Sequence, residues 1–162
     1  MPKLVDHEKR RNEIARATWV VVQRLGTERF RLRDIADEVG FTTGVLTHYF
    51  NDKGSLIRYA FNLAYQSLSD QILRSNKLSN SGLERFRKAL VALVPDKKNP
   101  ESSAFVSMCF GIRNLSDPML TADYKKKRSQ YSRLLKSYIC EALNNKEIRM
   151  SQITDDTLNL SF

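Results

Sequence analysis

The run Gly44-Val45-Leu46-Thr47-His48-Tyr49-Phe50 brings a hydroxyl, an imidazole and a phenol together within one short stretch. At 100° per residue a helix here puts Leu46 and Phe50 on one face, turns Gly44, Thr47 and His48 away from it, and leaves Val45 and Tyr49 on the flanks. The outward face holds neither Lys nor Glu, the residues that usually solubilise a surface helix. Small, Thr-rich and edged by an aromatic ring, it suits entry into the major groove of a nucleic-acid duplex. There Thr and Val meet thymine methyl groups, and hydroxyls or imidazole bond base edges and phosphates. His48 otherwise reads as a solvated surface histidine, and Tyr49 as a flank packed on the preceding helix.

Three cations bracket this run. Lys53 falls at the start of the next helix, where free backbone amides and an ammonium together favour a phosphate. Arg31 and Arg33 flank the start of the helix before it and suit the opposite strand, although each lone cation reads equally well as solvated.

The elements that must hold this face follow from the pattern on either side. Residues 32–39 and 44–50 read as two short helices joined by Gly40-Phe41-Thr42-Thr43. Ile35 and Val39 point inward, and Ala36 is small enough for the second helix to cross closely. Gly40 admits the left-handed backbone that so tight a turn needs, Phe41 plugs the corner, and Thr42 caps the second helix. Before the pair, Ile14, Ala17, Val21, Val22 and Leu25 form a stripe over residues 6–25, which Gly26 stops. After it, Asn51-Asp52 offers caps for a helix from Lys53 whose stripe runs through Leu56, Ala60, Leu63, Ala64 and Leu68 to Ile72.

The run from Arg33-Asp34-Ile35-Ala36-Asp37-Glu38-Val39-Gly40-Phe41-Thr42-Thr43 through Gly44-Val45-Leu46-Thr47-His48-Tyr49-Phe50 to Asn51-Asp52-Lys53-Gly54-Ser55-Leu56 resembles the N-terminal DNA-binding domain of TetR-family transcriptional repressors. Within that family, residues 44–50 are similar to the choline/betaine-type branch. The resemblance is strong over about residues 8–65; beyond that, Asn114-Leu115-Ser116-Asp117-Pro118 is similar to the second domain of the same branch. It implies a homodimer on a palindromic operator, inserting a helix into the major groove of double-stranded DNA, with a C-terminal helical domain that binds a small effector and releases the DNA. The DNA-binding set is then Arg31, Arg33, Thr42, Thr43, Gly44, Val45, Thr47, His48, Tyr49 and Lys53. Many members carry Tyr where Thr47 stands, which shifts one expected contact toward Tyr49. Members also usually continue past Asp156-Thr157-Leu158-Asn159-Leu160-Ser161-Phe162 with a further helix. The expectation is therefore an incomplete bundle and weak dimerisation, or a shortened relative that pairs with a full-length paralogue.

The rest of the chain gives an all-α expectation: an N-terminal three-helix helix-turn-helix domain over residues 1–53 and a helical effector-binding and dimerisation domain over 54–162, with a polar joint at 75–82. Leu83, Phe86, Leu90, Val91 and Val94 read as the inward stripe of a short helix. Residues 103–115 are apolar on nearly all sides, and Leu120, Tyr124, Tyr131, Leu134, Leu135, Tyr138, Ile139 and Leu143 mark a long helix from Pro118. Phe105, Met108, Phe110 and Tyr131, with Cys109, Ile112 and Tyr138 beside them, are candidates for an effector pocket, or are plain core. Lys125-Lys126-Lys127-Arg128 reads as a solvated face.

With 162 residues, 41% apolar and 28% charged, the chain is long enough for a sizeable core without disulfide or metal support. Cys109 and Cys140 sit in apolar runs and read as buried thiols in a reducing compartment. No stretch approaches the roughly 18 apolar residues of a membrane span, so a cytoplasmic protein is expected. The 27 Lys and Arg against 18 Asp and Glu give a net charge of +9, which suits a polyanionic partner. The excess is divided between both halves of the chain and does not by itself locate the surface. Catalytic motifs are missing, and neither a cofactor nor a metal is expected.

Overall fold

The computed structural model describes residues 2–77, 79–94 and 118–149. Six α-helices and no strand occur among them: α1 (Pro2–Arg29), α2 (Leu32–Val39), α3 (Thr43–Tyr49), α4 (Lys53–Asn76), α5 (Gly82–Ala92) and α6 (Pro118–Asn144). The all-α expectation is met. The helix read over 103–115, with Phe105, Met108, Cys109 and Phe110, lies outside the described residues, as does the C-terminal tail.

The first helix is interrupted where the sequence placed its stop: Gly26 takes φ 80°, ψ 162°, a left-handed φ that a side chain would strain. Its apolar stripe is wider than one face. Ile14, Ala15, Ala17, Thr18, Trp19, Val21 and Val22 are all buried, because α1 is wedged between α2 on one side and α4 on the other. Trp19 donates its indole N–H to the Ala60 carbonyl at 2.9 Å, and Tyr59 donates its hydroxyl to Asn12 Oδ1 at 2.8 Å. Both bonds tie α1 to α4. The Arg11 guanidinium lies over the rings of Tyr59 (4.5 Å) and Phe50 (4.8 Å), and so joins the end of α3 to the same seam.

Asp52 caps α4: its carboxylate accepts from the Ser55 amide at 2.6 Å, and that bond holds its pKa below the ordinary carboxylate value. Leu56, Ala60, Ala64, Leu68 and Ile72 are buried as the stripe requires. So are Ile57 and Phe61, since α4 packs against α1, α5 and α6 and is covered on more than one face.

Two expectations about the later helices are corrected. In α5 and just after it the large residues do not point inward: Leu83, Leu90, Val91 and, past the helix end, Val94 are exposed, and the buried positions are Gly82, Ala89 and Ala92, with Phe86 half-buried. The cause is the closeness of α6. A Cβ built on Gly82 would come within 2.5 Å of the Ala142 amide nitrogen and 2.7 Å of the Tyr138 carbonyl oxygen, so only the small-residue face of α5 can take this side. The second correction is Cys140, which is exposed. It stands two residues from buried Tyr138, a 200° rotation that carries it to the opposite side of α6. Of the basic run, Lys125, Lys126 and Arg128 are solvated, whereas Lys127 turns in over the Tyr65 ring at 4.4 Å.

The closely packed pair α5 and α6 is locked at its polar end. After α6 the chain reverses at Lys146 (φ 58°) and returns Glu147 to the start of α5, where its carboxylate accepts from the amides of Gly82 (3.0 Å) and Leu83 (2.9 Å) and from the Ser81 hydroxyl (2.6 Å). These donors drive the Glu147 carboxyl down to about 2. Beside it, Arg85 donates to both oxygens of Glu141 (2.6 and 2.8 Å) and to the Ser79 carbonyl.

Candidate nucleic-acid interface

The helix pair α2 and α3 is built as the residue types demand. Arg31 stands at the N-cap of α2, its amide bonded to the Asp34 carboxylate at 2.6 Å, and Gly40 closes the helix in the left-handed conformation (φ 75°, ψ 31°). Thr42 caps α3, its hydroxyl accepting from the Val45 amide at 3.3 Å. Ile35, Ala36, Leu46 and Phe50 are buried, with Val39 and Phe41 packed against them. Phe41 carries the Arg10 guanidinium over its ring at 5.4 Å.

Burial of Leu46 and Phe50 fixes the roll of α3. Thr42, Thr43, Gly44, Thr47 and His48 are exposed, and Val45 retains 38% exposure, a large value for a valine in a helix that contributes to the core. Thr47 is exposed and donates its hydroxyl to the Gly44 carbonyl at 2.9 Å. Arg31 and Arg33 are exposed at the start of α2; Arg33 approaches Asp37 only at 3.9 Å with both side chains largely in solvent, a pair of little energetic weight.

Tyr49 and Lys53 are placed differently from a freely offered contact. Tyr49 is half-buried, its ring 4.7 Å from that of His7 and 5.3 Å from that of His48, so α1 braces the outward edge of α3 through a cluster of three rings. His7 was not a candidate; the sequence separation of 41 residues from His48 hides the contact. Lys53 was read as a free cation, yet its ammonium donates to the carbonyls of Glu28 (3.2 Å) and Phe30 (2.8 Å) and lies over the Phe30 ring. Two of its three protons are used inside the protein, and one remains for an outside acceptor. Partial burial lowers its pKa.

Of the effector candidates, two fall among the described residues: Tyr131 is half-buried and donates its hydroxyl to the Ala89 carbonyl, where it bridges α6 to α5, and Tyr138 is buried and accepts from the Asn76 amide. Burial raises the Tyr131 pKa. No helix among the described residues is long and apolar enough to cross a membrane, and these residues hold no group of three or more metal-ligating side chains.

Residues 14–60, which carry α2 and α3 with the later part of α1 and the first turns of α4, match the family described as bacterial regulatory proteins, tetR family. Over those residues the chain is similar to the TetR family of regulators. Among its relatives, the HTH-type transcriptional regulator PksA of Bacillus subtilis is 44% identical over 95 residues, 59% of this chain and 46% of that protein. The chain thus aligns with less than half of that relative's length. The HTH-type transcriptional regulator BetI of Escherichia coli is 29% identical over 143 residues, 87% of this chain and 72% of that protein. These relatives are named as transcriptional regulators and not as enzymes. Among solved structures, AibR in complex with isovaleryl coenzyme A and operator DNA superposes with a TM-score of 0.74 at 19% identity, over 92% of this chain and 78% of that one. The TetR-family regulator PfmR of Thermus thermophilus gives 0.70 at 19% identity, over 90% and 76%. The arrangement of an N-terminal helix-turn-helix and a C-terminal helical part is the fold these structures share.

Proposed function

We propose that this protein is a cytoplasmic transcriptional repressor that binds a palindromic operator as a homodimer and releases it when a small effector binds. The carrying observation is the outward face of α3: Thr43, Gly44, Val45, Thr47 and His48 stand exposed with no Lys or Glu among them, on a helix whose roll is fixed by buried Leu46 and Phe50. The names of PksA and BetI support the regulatory part, and the AibR complex supports operator DNA and an acyl thioester as the kind of partners such a fold takes.

In this reading residues 1–53 form the DNA-reading domain and residues 54–162 the effector-binding and dimerisation domain. The methyl groups of Thr47 and Val45 meet thymine, and the His48 imidazole meets a base edge or phosphate. Gly44 lets the backbone approach the groove. The hydroxyls of Thr42 and Thr43, the guanidinium groups of Arg31 and Arg33, and the third N–H of Lys53 take phosphates and set the register. Tyr49, held by His7, contributes its hydroxyl at the edge. Two copies hold their α3 helices about 34 Å apart, one turn of DNA, so a twofold operator mirrors a twofold protein. The effector pocket includes Tyr131 together with Phe105, Met108 and Phe110.

Footprinting of the purified protein on the DNA upstream of its own gene tests the proposal. A protected, twofold-symmetric site of about two half-sites one turn apart is expected. Uniform protection without sequence preference would overturn it.

A further inference from the structure

A cleft of about 580 Å³ opens where the end of α4, the start of α5 and the last turns of α6 meet, at the opposite end of α4 from the DNA-reading helices. Its volume lies within the range of small-molecule sites, about 300–1,000 Å³. Arg74, Lys77 and Arg85 line it against one carboxylate, Asp70. Arg85 is neutralised by Glu141, and Asp70 accepts from the Gln66 amide at 3.0 Å. Arg74 and Lys77 make no side-chain hydrogen bond or ion pair among the described residues, and Asp70 offsets only one of the two, so the cleft keeps a net positive charge.

Asn76, only 9% exposed, stands in the wall and donates its amide to the Tyr138 hydroxyl, which ties α4 to α6 and holds the cleft open between them. Leu73, 54% exposed, gives the wall an apolar stretch beside the two cations. We infer that this cleft binds an organic anion, a carboxylate or phosphate ester with a short apolar body. The anion sits on Arg74 and Lys77 and the apolar part along Leu73. The site is separate from the surface around Tyr131, whose hydroxyl is already taken by Ala89. Binding here stands on the protein alone, and only its regulatory meaning rests on the DNA reading.

Titration calorimetry of the full chain without DNA tests the inference, using hexanoate, hexyl phosphate and 1-hexanol as probes. Saturable binding of the anions and none of 1-hexanol is expected, with preference between hexanoate and hexyl phosphate assigning the anion to carboxylate or phosphate. The exposed double variant Arg74→Ala/Lys77→Ala should bind at least tenfold more weakly while melting at the wild-type temperature. Equal binding of 1-hexanol, unchanged affinity in the double variant, or no saturable binding of any anion would overturn it. Since no DNA is present, none of these results depends on whether α3 reads an operator.

Discussion

The ammonium of Lys53 lies 4.0 Å above the centre of the Phe30 ring and donates to the carbonyl of that same residue at 2.8 Å. A single cation at the start of α4 thus fastens the segment that leads from α1 into the helix pair, and it does so with Phe30 itself buried. Lys53→Met removes two charge-assisted bonds and should cost roughly 1–2 kcal/mol of stability, read from the midpoint of urea unfolding. Its effect on DNA should be equal across operator variants. A variant of wild-type stability would show that the clamp contributes nothing.

Base contacts and phosphate contacts separate by the kind of loss they cause. Thr47→Ala or His48→Ala should narrow the gap between the operator and its point variants by about 1–3 kcal/mol at the position each residue reads. Arg31→Ala and Arg33→Ala should weaken all sequences alike. Competition binding against single-base operator variants makes the comparison. Sequence-selective losses in the arginine variants would mean that α2, not α3, lies in the groove.

Salt should dominate the affinity. With about 6–10 phosphates neutralised per dimer, binding should fall about 10³–10⁵-fold between 50 and 200 mM salt. Fluorescence anisotropy of a labelled operator across that range gives the slope. A flat response would leave the +9 charge without a part in binding.

Gly82→Ala forces a methyl group against backbone, 2.5 Å from the Ala142 nitrogen and 2.7 Å from the Tyr138 oxygen, where no side chain can swing aside. The α5–α6 pair must part, at a cost of about 1–3 kcal/mol. Differential scanning calorimetry should show the loss, and an unchanged melting temperature would contradict the close approach.

Acid should unpick the same end of the molecule. The Glu147 carboxyl, ordinarily near 4.5, is held at about 2 by the Ser81 hydroxyl and the amides opening α5. A depressed carboxyl stabilises the fold above its unfolded value and loses that contribution as pH falls through the folded one. Stability should therefore decline between about pH 4.5 and 2, and Glu147→Gln should flatten that decline. Melting temperatures of both proteins over this range decide it; parallel curves would remove Glu147 from the acid response.

The helix pair was legible because each of its constraints is local. Ile35, Leu46 and Phe50 are large apolar residues at helical spacing, Gly40 is the residue a left-handed turn requires, and Thr42 is a capping type. What escaped the sequence depends on partners distant in the chain. The inward face of α5 is made of Gly82, Ala89 and Ala92, which carry little hydropathy signal beside Leu83 and Val91. Their use is dictated by how near α6 comes. Lys53 looks the same in sequence whether its ammonium meets solvent or the Phe30 carbonyl, and His7 gives no sign of reaching Tyr49. Phe105, Met108 and Phe110 lie outside the described residues.

Trp19 is the sole tryptophan of the chain, 2% exposed, with Arg16 over its ring at 5.2 Å and its indole N–H on Ala60. The seam between α1 and α4 therefore has its own optical probe, free of interference from any second indole. A shift in emission maximum on adding operator or a candidate ligand would report movement at that one joint, without a label and without altering a residue.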